Sequence, residues 1–146
     1  MKKVSFKADR CTACGSCSVA CAIVHSRSKD VNRAADEWPA PRARIDIQEK
    51  GGKLVIVRCR NCKKAKCIDA CEPKAISRNA EGYVLFNETL CNGCWKCIEA
   101  CPFKAVVRSG DEKKALKCDS CLDRKTPACV DACHTEALKV EEGAAE

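Results

Sequence analysis

Short runs that alternate apolar and polar residues recur along this chain, and turn residues separate them. Three pairs of runs predict β-hairpins because Gly, Asn or Ser residues lie between the partners. The pairs are 45–48 with 53–57, 75–78 with 83–87, and 105–108 with 114–117. Single runs at 4–8 and 137–140 predict one short strand near each end. The pattern therefore predicts an α+β fold built from short elements.

Apolar material for a core is sparse for a chain of this length. Aromatic residues make up 4% of the 146 residues, and there is a single methionine. A carbon core with so few large side chains would be thin. The longest aliphatic run, Leu54–Val57, is far too short to span a membrane, so we expect no direct membrane insertion. Sixteen cysteines are the other candidate for filling the interior, and they predict an inorganic filling.

The cysteines follow one spacing four times, and the clearest copy is the third motif. There, Cys91, Cys94, Cys97 and Cys101 read C-x2-C-x2-C-x3-C, and Pro102 follows. Three cysteines on a tight loop suit three irons of one [4Fe–4S] cube, and the fourth suits a second cube. Proline then ends the short helix that carries the last two cysteines. The other motifs are Cys11, Cys14, Cys17 and Cys21; Cys59, Cys62, Cys67 and Cys71; and Cys118, Cys121, Cys129 and Cys133.

Two other uses of cysteine compete with iron–sulfur ligation. A disulfide scaffold fits the even number and the high share of cysteine. The first ten residues contain no apolar signal region, however, so we expect the chain in the cytoplasm, where thiols stay reduced. Structural zinc is typically bound by two separated C-x2-C pairs, whereas these cysteines come as a triplet plus one. The spacing therefore favours iron–sulfur clusters.

The formal net charge of +7 would ordinarily indicate a nucleic-acid or membrane-surface partner. That value counts every cysteine as neutral. Sixteen thiolates would add sixteen negative charges, and four cluster cores of charge +2 would add eight positive ones. The loaded protein would then be close to neutral. We therefore interpret the basic excess as compensation for the clusters, and we expect no nucleic-acid partner.

An internal repeat accompanies the cysteine motifs. Alanine precedes the fourth cysteine of every motif, and a second alanine follows that cysteine by four residues in three of them; these residues are Ala20, Ala70, Ala100 and Ala132, and Ala75, Ala105 and Ala137. Small residues there allow backbone to approach a cluster closely. Four repeats predict four clusters in two interleaved ferredoxin-like units. We expect an outer unit of about 1–44 plus 108–146 and an inner unit of about 45–107.

Crossed ligation gives each cluster three cysteines of one motif and the last cysteine of a partner motif. Motifs two and three are joined by one hairpin and form a natural inner pair, although consecutive pairing, one with two and three with four, stays open. We call the nested groups sets 1 to 4. They are Cys11, Cys14, Cys17 and Cys133 (set 1); Cys118, Cys121, Cys129 and Cys21 (set 2); Cys59, Cys62, Cys67 and Cys101 (set 3); and Cys91, Cys94, Cys97 and Cys71 (set 4).

Several residues outside the ligand sets have two readings each. His25 is a helix-end residue, or it caps a cluster or relays a proton, whereas Trp38, in a surface excursion over 26–44, is a partner anchor or a cover for a cluster. Trp95, between two cysteines, is expected to shield its cluster from water. Cations around motif two either raise a cluster potential or are ordinary solvated side chains; they are Arg58, Arg60, Lys63, Lys64 and Lys66. We expect 141–146 to be a frayed acidic end.

The order and spacing of all sixteen cysteines resemble the four-cluster ferredoxin-type subunits of redox complexes. These accompany molybdopterin oxidoreductases, formate-linked hydrogenases, carbon monoxide dehydrogenase and tungsten aldehyde oxidoreductases. The resemblance covers 3–140 and includes the widened second and fourth motifs. It implies the nested ligand sets. The short length and the stretch 21–30 look most like the carbon monoxide dehydrogenase and aldehyde oxidoreductase partners. His134 and Glu72 stand where the ferredoxin pattern has proline, but neither replaces a ligand.

These observations predict an electron-transfer component that is not itself an enzyme. The resemblance implies four [4Fe–4S] clusters and a catalytic partner of the carbon monoxide dehydrogenase, aldehyde oxidoreductase or hydrogenase type. Self-association into longer chains of clusters stays open. The rival hypotheses are a freely diffusing polyferredoxin, an enzyme that uses a cluster as a Lewis acid, and a zinc-held interaction module. Sixteen cysteines for sixteen cluster positions leave no open coordination site for the Lewis-acid enzyme.

Overall fold

A computed structural model describes residues 1–142 and shows a small α+β fold of short elements. Among these residues, none of the helices has both the length and the apolar character needed to cross a membrane. The strands are β1 Lys2–Phe6, β2 Ile45–Lys50, β3 Lys53–Arg58, β4 Ile76–Arg78, β5 Val84–Phe86, β6 Val106–Arg108, β7 Ala115–Lys117 and β8 Leu138–Glu142. The helices are α1 Ser16–Val24, α2 Val31–Ala34, α3 Lys66–Ala70, α4 Lys96–Ala100 and α5 Ala128–Asp131. A 3-10 turn covers Ala8–Arg10.

The described strands form four separate antiparallel pairs, β1 with β8, β2 with β3, β4 with β5, and β6 with β7. The last three pairs confirm the three predicted hairpins. Lys50 lies opposite Lys53 across the Gly51-Gly52 turn, where both glycines have positive φ. This two-residue turn matches the twist of the flanking strands.

The pairing of β1 with β8 joins the two ends of the described chain, with Lys2 opposite Glu142. Strand β8 therefore continues through Glu141 and Glu142, and the prediction of a frayed end from 141 onward is wrong for these two residues. Their pairing with β1 satisfies backbone groups that a free end would leave to water. The rest of the predicted end, 143–146, lies outside the described residues.

Each of the helices α3, α4 and α5 carries the third cysteine of its motif and ends one or two residues before the fourth. The third cysteine of each motif therefore lies on the short helix, and the fourth lies about one turn later, just after the helix ends. Helix α1 is longer and continues to Val24, as expected, and no proline after Cys21 prevents this extension.

The buried apolar residues form two clusters. The inner cluster contains Ile76, Val84 and Val106, and the outer one contains Ile45 and Leu138. Ile47 and Ile56 also pack against the outer cluster, so the β2–β3 hairpin lies on that side. Of the 21 buried apolar residues among those described, eight are cysteine and seven are alanine. Thiol groups and small side chains thus occupy most of the interior.

The surface excursion over 26–44 is more ordered than its sequence indicated. The Asp30 carboxylate caps the one-turn helix α2 by accepting the N–H groups of Asn32 and Arg33 at 2.9 and 3.1 Å. The excursion also packs against the β6–β7 turn, since a Cβ on Gly110 would lie 2.4 Å from the Ala40 oxygen. A residue larger than glycine is therefore incompatible with this contact.

Candidate metal centres

All sixteen cysteines are free thiols, and two cavities are lined by four of them each. One cavity, of about 140 Å³, lies between Cys11, Cys14, Cys17 and Cys133. The other, of about 60 Å³, lies between Cys59, Cys62, Cys67 and Cys101. A larger cavity of about 570 Å³ lies between β1 and β3, and none of its described lining residues is a cysteine. The two four-cysteine cavities, although smaller, are therefore the candidate metal centres because thiols are metal ligands.

The remaining cysteines lie close enough to influence one another electrostatically. Burial raises the pKa of Cys97 to about 11, and nearby thiolates add to this effect; they are Cys91, Cys71 and Cys94. Burial raises the pKa of Cys129 to about 12. The positive charge of Arg58 opposes this rise, and the neighbouring thiolates of Cys118, Cys21 and Cys121 add to it. Such thiols are protonated at neutral pH, and a metal that binds them must displace the protons.

Backbone N–H groups point at several cysteine sulfurs. Ala75 donates to Cys71 Sγ at 3.3 Å and Ala105 donates to Cys101 Sγ at 3.4 Å. The other donors are Arg44 to Cys21 at 3.2 Å, Ala13 to Cys11 at 3.4 Å and Ser120 to Cys118 at 3.4 Å. Such bonds stabilise a thiolate and tune the potential of a bound cluster. The alanine repeat is visible in the sequence, but the N–H donation that accompanies it was not predicted.

The second residue between the first two cysteines has a left-handed backbone in all four motifs. Its φ is 56° at Ala13, 50° at Asn61, 74° at Gly93 and 60° at Ser120. Successive N–H groups in a turn that contains such a residue can form a concavity for an anion. Glycine is required at 93, because a Cβ there would lie 2.4 Å from the Lys113 oxygen. The sequence repeat is thus also a repeat of backbone conformation.

His25 closes helix α1 and contacts a predicted ligand. Its Nδ1 lies 2.8 Å from the Cys21 oxygen and 3.6 Å from Cys21 Sγ, while Nε2 lies 3.1 Å from the Asp119 carboxylate. Burial, the largest single effect, would lower the pKa of His25, but the hydrogen bonds with Asp119 and Cys21 and the Asp119 charge together outweigh it and raise the pKa to about 10. His25 is therefore a helix-end residue that lies beside Cys21, and a role in capping a cluster or relaying a proton stays a prediction.

The two tryptophans differ in exposure. Trp38 is 72% exposed, so the reading in which it folds back over a cluster is wrong. Trp95 is half-buried against the inner cluster, and the Arg108 guanidinium lies 4.6 Å from the centre of its ring. This cation–π contact holds the indole beside Cys94 and Cys97.

The basic residues around motif two also separate into two kinds. Arg58 is 9% exposed and its Nη2 lies 3.9 Å from Cys118 Sγ in motif four. The other four are exposed, and Arg60 lies over the Phe103 ring at 4.1 Å; the four are Arg60, Lys63, Lys64 and Lys66. Water screens exposed charges strongly. Among the predicted cations, Arg58 is therefore the buried one, whose charge is least screened by water.

These features fit iron–sulfur clusters: thiols in groups of four, inward N–H groups, and buried cations that can balance anionic centres. They define a ferredoxin-type iron–sulfur protein. Residues 53–143 match the 4Fe-4S dicluster domain family, and the chain belongs to this family.

Similar proteins carry names from electron transport. The chain is 40% identical over 136 residues to the putative electron transport protein YsaA of Escherichia coli, a match that covers 90% of this chain and 84% of that protein. It is 32% identical over 135 residues to the thiosulfate reductase electron transfer subunit PhsB of Salmonella typhi, and this match covers 89% of this chain and 70% of that protein.

One solved structure shows the same fold. The active site complex BamBC of benzoyl coenzyme A reductase, in complex with 1,5-dienoyl-CoA, contains a chain that aligns with a TM-score of 0.56. The alignment covers all of this chain and 78% of that chain at 22% sequence identity. At this identity the likeness shows the fold alone.

Proposed function

We propose that this chain carries electrons through four [4Fe–4S] clusters between a catalytic oxidoreductase subunit and another redox partner. The observation that carries the proposal is the exposure of the cysteines. Cys14 of set 1 and Cys94 of set 4 are exposed, whereas all other cysteines are buried or partly buried. Sets 1 and 4 therefore suit the two ends of a path, and sets 2 and 3 suit its insulated middle.

We propose the nested sets 1 to 4 as the cluster ligands. The two four-cysteine cavities and the mutual charge effects around Cys97 and Cys129 support this assignment. When bound, each cluster would take up and release one electron. The chain would bind the irons, exclude water and supply N–H groups to the sulfurs.

Contacts between the elements support a path in the order set 1, set 2, set 3, set 4. Helix α1 lies in motif one and helix α5 in motif four, and the two helices contact each other. Each of these two motifs supplies cysteines to both set 1 and set 2. Helices α3 and α4 likewise contact each other, and their motifs supply sets 3 and 4. The Asn61 side chain, in motif two, donates to Ser120 Oγ in motif four at 3.1 Å, which joins sets 2 and 3.

The same contacts support two interleaved units, an outer one with motifs one and four and an inner one with motifs two and three. We place the chain in the cytoplasm and propose that it is not itself an enzyme, because all four thiols of each set would be used as ligands.

A relative named as an electron transfer subunit of thiosulfate reductase supports a catalytic partner. A carbon monoxide dehydrogenase, aldehyde oxidoreductase or hydrogenase is the partner type we propose, and self-association remains part of the proposal.

The alternative is a freely diffusing polyferredoxin. The exposed Trp38 favours a docked subunit, since exposed tryptophan is typical of protein interfaces. Anaerobic purification from native extract tests both parts of the proposal. We expect about sixteen irons and sixteen sulfides per chain, and migration together with a larger catalytic chain. About eight irons would reduce the proposal to two clusters, zinc would contradict it, and a fully loaded chain that migrates alone would favour the diffusing carrier.

We further propose that Trp95 shields set 4 from water. Replacing Trp95 with alanine should keep the iron content but shift the potential of one cluster, because water would approach exposed Cys94 more closely. Replacing Trp38 with alanine is the matched control, since 72% of this residue is already exposed to solvent. Redox titration checks the expectation, and identical potentials in the two variants would contradict it.

A further inference from the structure

Two cations are buried at the junction between motifs two and four. Arg58 ends β3 directly before Cys59, and Lys117 ends β7 directly before Cys118. They are 9% and 2% exposed. Lysine and arginine are almost never buried to this degree unless an opposite charge accompanies them. Among the side chains of residues 1–141, no carboxylate forms an ion pair with either of them.

The polar contacts of these cations leave their charge unbalanced. Lys117 Nζ donates to the backbone oxygens of Val84 and Cys118, the latter at 3.1 Å. Arg58 places Nη2 near Cys118 Sγ, and its buried Nε donates to no acceptor among the described residues. Carbonyl oxygens solvate an ammonium but do not neutralise it. The negative charge that balances these two cations must therefore come from the cysteine thiols and from the group that they bind.

Each cation is directed at the cysteines of the other motif. Arg58 belongs to motif two in sequence, but its guanidinium lies 3.9 Å from Cys118 Sγ of set 2. Lys117 belongs to motif four in sequence, but its side chain lines the cavity of Cys59, Cys62, Cys67 and Cys101, which is set 3. Arg58, from the strand before motif two, thus lies at set 2, and Lys117, from the strand before motif four, lies at set 3.

A buried polar contact fixes this junction. Asn61 and Ser120 are 9% and 2% exposed, and the Asn61 amide donates to Ser120 Oγ. The Asn61 oxygen also accepts the Val84 N–H at 2.9 Å, beside the carbonyl that Lys117 binds. The loops that carry Cys59 and Cys118 are therefore held in one position relative to the two cations.

We propose that Arg58 and Lys117 are reciprocal counter-ions of sets 2 and 3, and that they make the middle of the electron path easier to reduce than its two exposed ends. This inference rests on the proposed function. Reduction adds one negative charge to a cluster, and a buried cation stabilises that charge far more than a solvated one. A single electron on the chain would then reside on a middle cluster until it passes through an end cluster to an oxidising partner.

Uncharged substitutions of the two cations test the proposal in the cluster-loaded protein. Lys117→Met should shift one potential downward, with at least a tenfold change in the reduction equilibrium constant, which is about 59 mV for one electron. Arg58→Gln should shift a different potential downward, whereas Arg58→Lys should keep most of the native value. The matched control is Lys64→Met, because Lys64 lines the same cavity as Lys117 but is exposed.

Redox titration with electron paramagnetic resonance, alongside iron analysis, gives the readout. Iron content and reducibility of the native chain test the proposed function, whereas the differences between variants test only this inference. Equal potentials in Lys117→Met and Lys64→Met, at full iron content, would overturn it. Should Lys117→Met fail to load iron, the comparison of Arg58→Gln with Arg58→Lys decides, and equal potentials in those two variants would also overturn it.

Discussion

Replacing Cys101 with alanine should alter the same cluster signal as replacing Cys59, although these residues lie in different motifs. Cys101 follows α4 of motif three, but its thiol lines the cavity formed by Cys59, Cys62 and Cys67 of motif two. Crossed ligation therefore predicts that both variants lose one and the same [4Fe–4S] signal. We expect a loss of up to roughly a quarter of the bound iron in each variant, since four equal clusters would share it.

The matched control for this experiment is Cys97→Ala. Cys97 lies on α4, only four residues before Cys101, and both are buried to a similar degree at 7% and 8% exposure. Its neighbours are cysteines of set 4. Electron paramagnetic resonance of the reduced proteins should therefore show a different signal missing in Cys97→Ala. If Cys97→Ala and Cys101→Ala lose the same signal, each motif binds its own cluster and the nested sets are wrong.

Local signals in the sequence were sufficient for most of the fold. The Gly51-Gly52 turn predicted the β2–β3 hairpin, and the missing proline after Cys21 predicted the extension of α1 to Val24. Both depend on residues close in sequence. The extent of β8 could not be read in this way, because Glu142 is held by Lys2 at the opposite end of the described chain.

The details of the site were only partly predictable. Glycine at 93 indicates positive φ, but Ala13, Asn61 and Ser120 adopt the same conformation without a glycine to announce it. The surrounding loop imposes that backbone, and the sequence does not show it. The crossed positions of Arg58 and Lys117 could not be predicted either, since their side chains lie beside cysteines far away in sequence. Exposure alone separated Arg58 from the neighbouring lysines.

Removing iron from the protein should abolish its cooperative unfolding transition. Fifteen of the 21 buried apolar residues among those described are cysteine or alanine. Alanine contributes little apolar area, and cysteines without metal would place protonated thiols around empty space. Metal binding to such sites is coupled to folding, because no preformed site exists in the unfolded chain. Anaerobic treatment with a chelator and a mild oxidant should therefore eliminate the dispersed amide signals in nuclear magnetic resonance spectra.

Returning iron and sulfide under reducing conditions should restore those signals, which separates loss of metal from irreversible damage. Chelator without the oxidant is the matched control, since intact clusters release iron slowly, and that sample should keep its transition. The larger apolar side chains, such as Ile76, Val84 and Leu138, are too few to hold two cores together by themselves. A colourless, iron-free chain that still unfolds cooperatively would show that the carbon core suffices, and the cysteine sets would then lose their structural role.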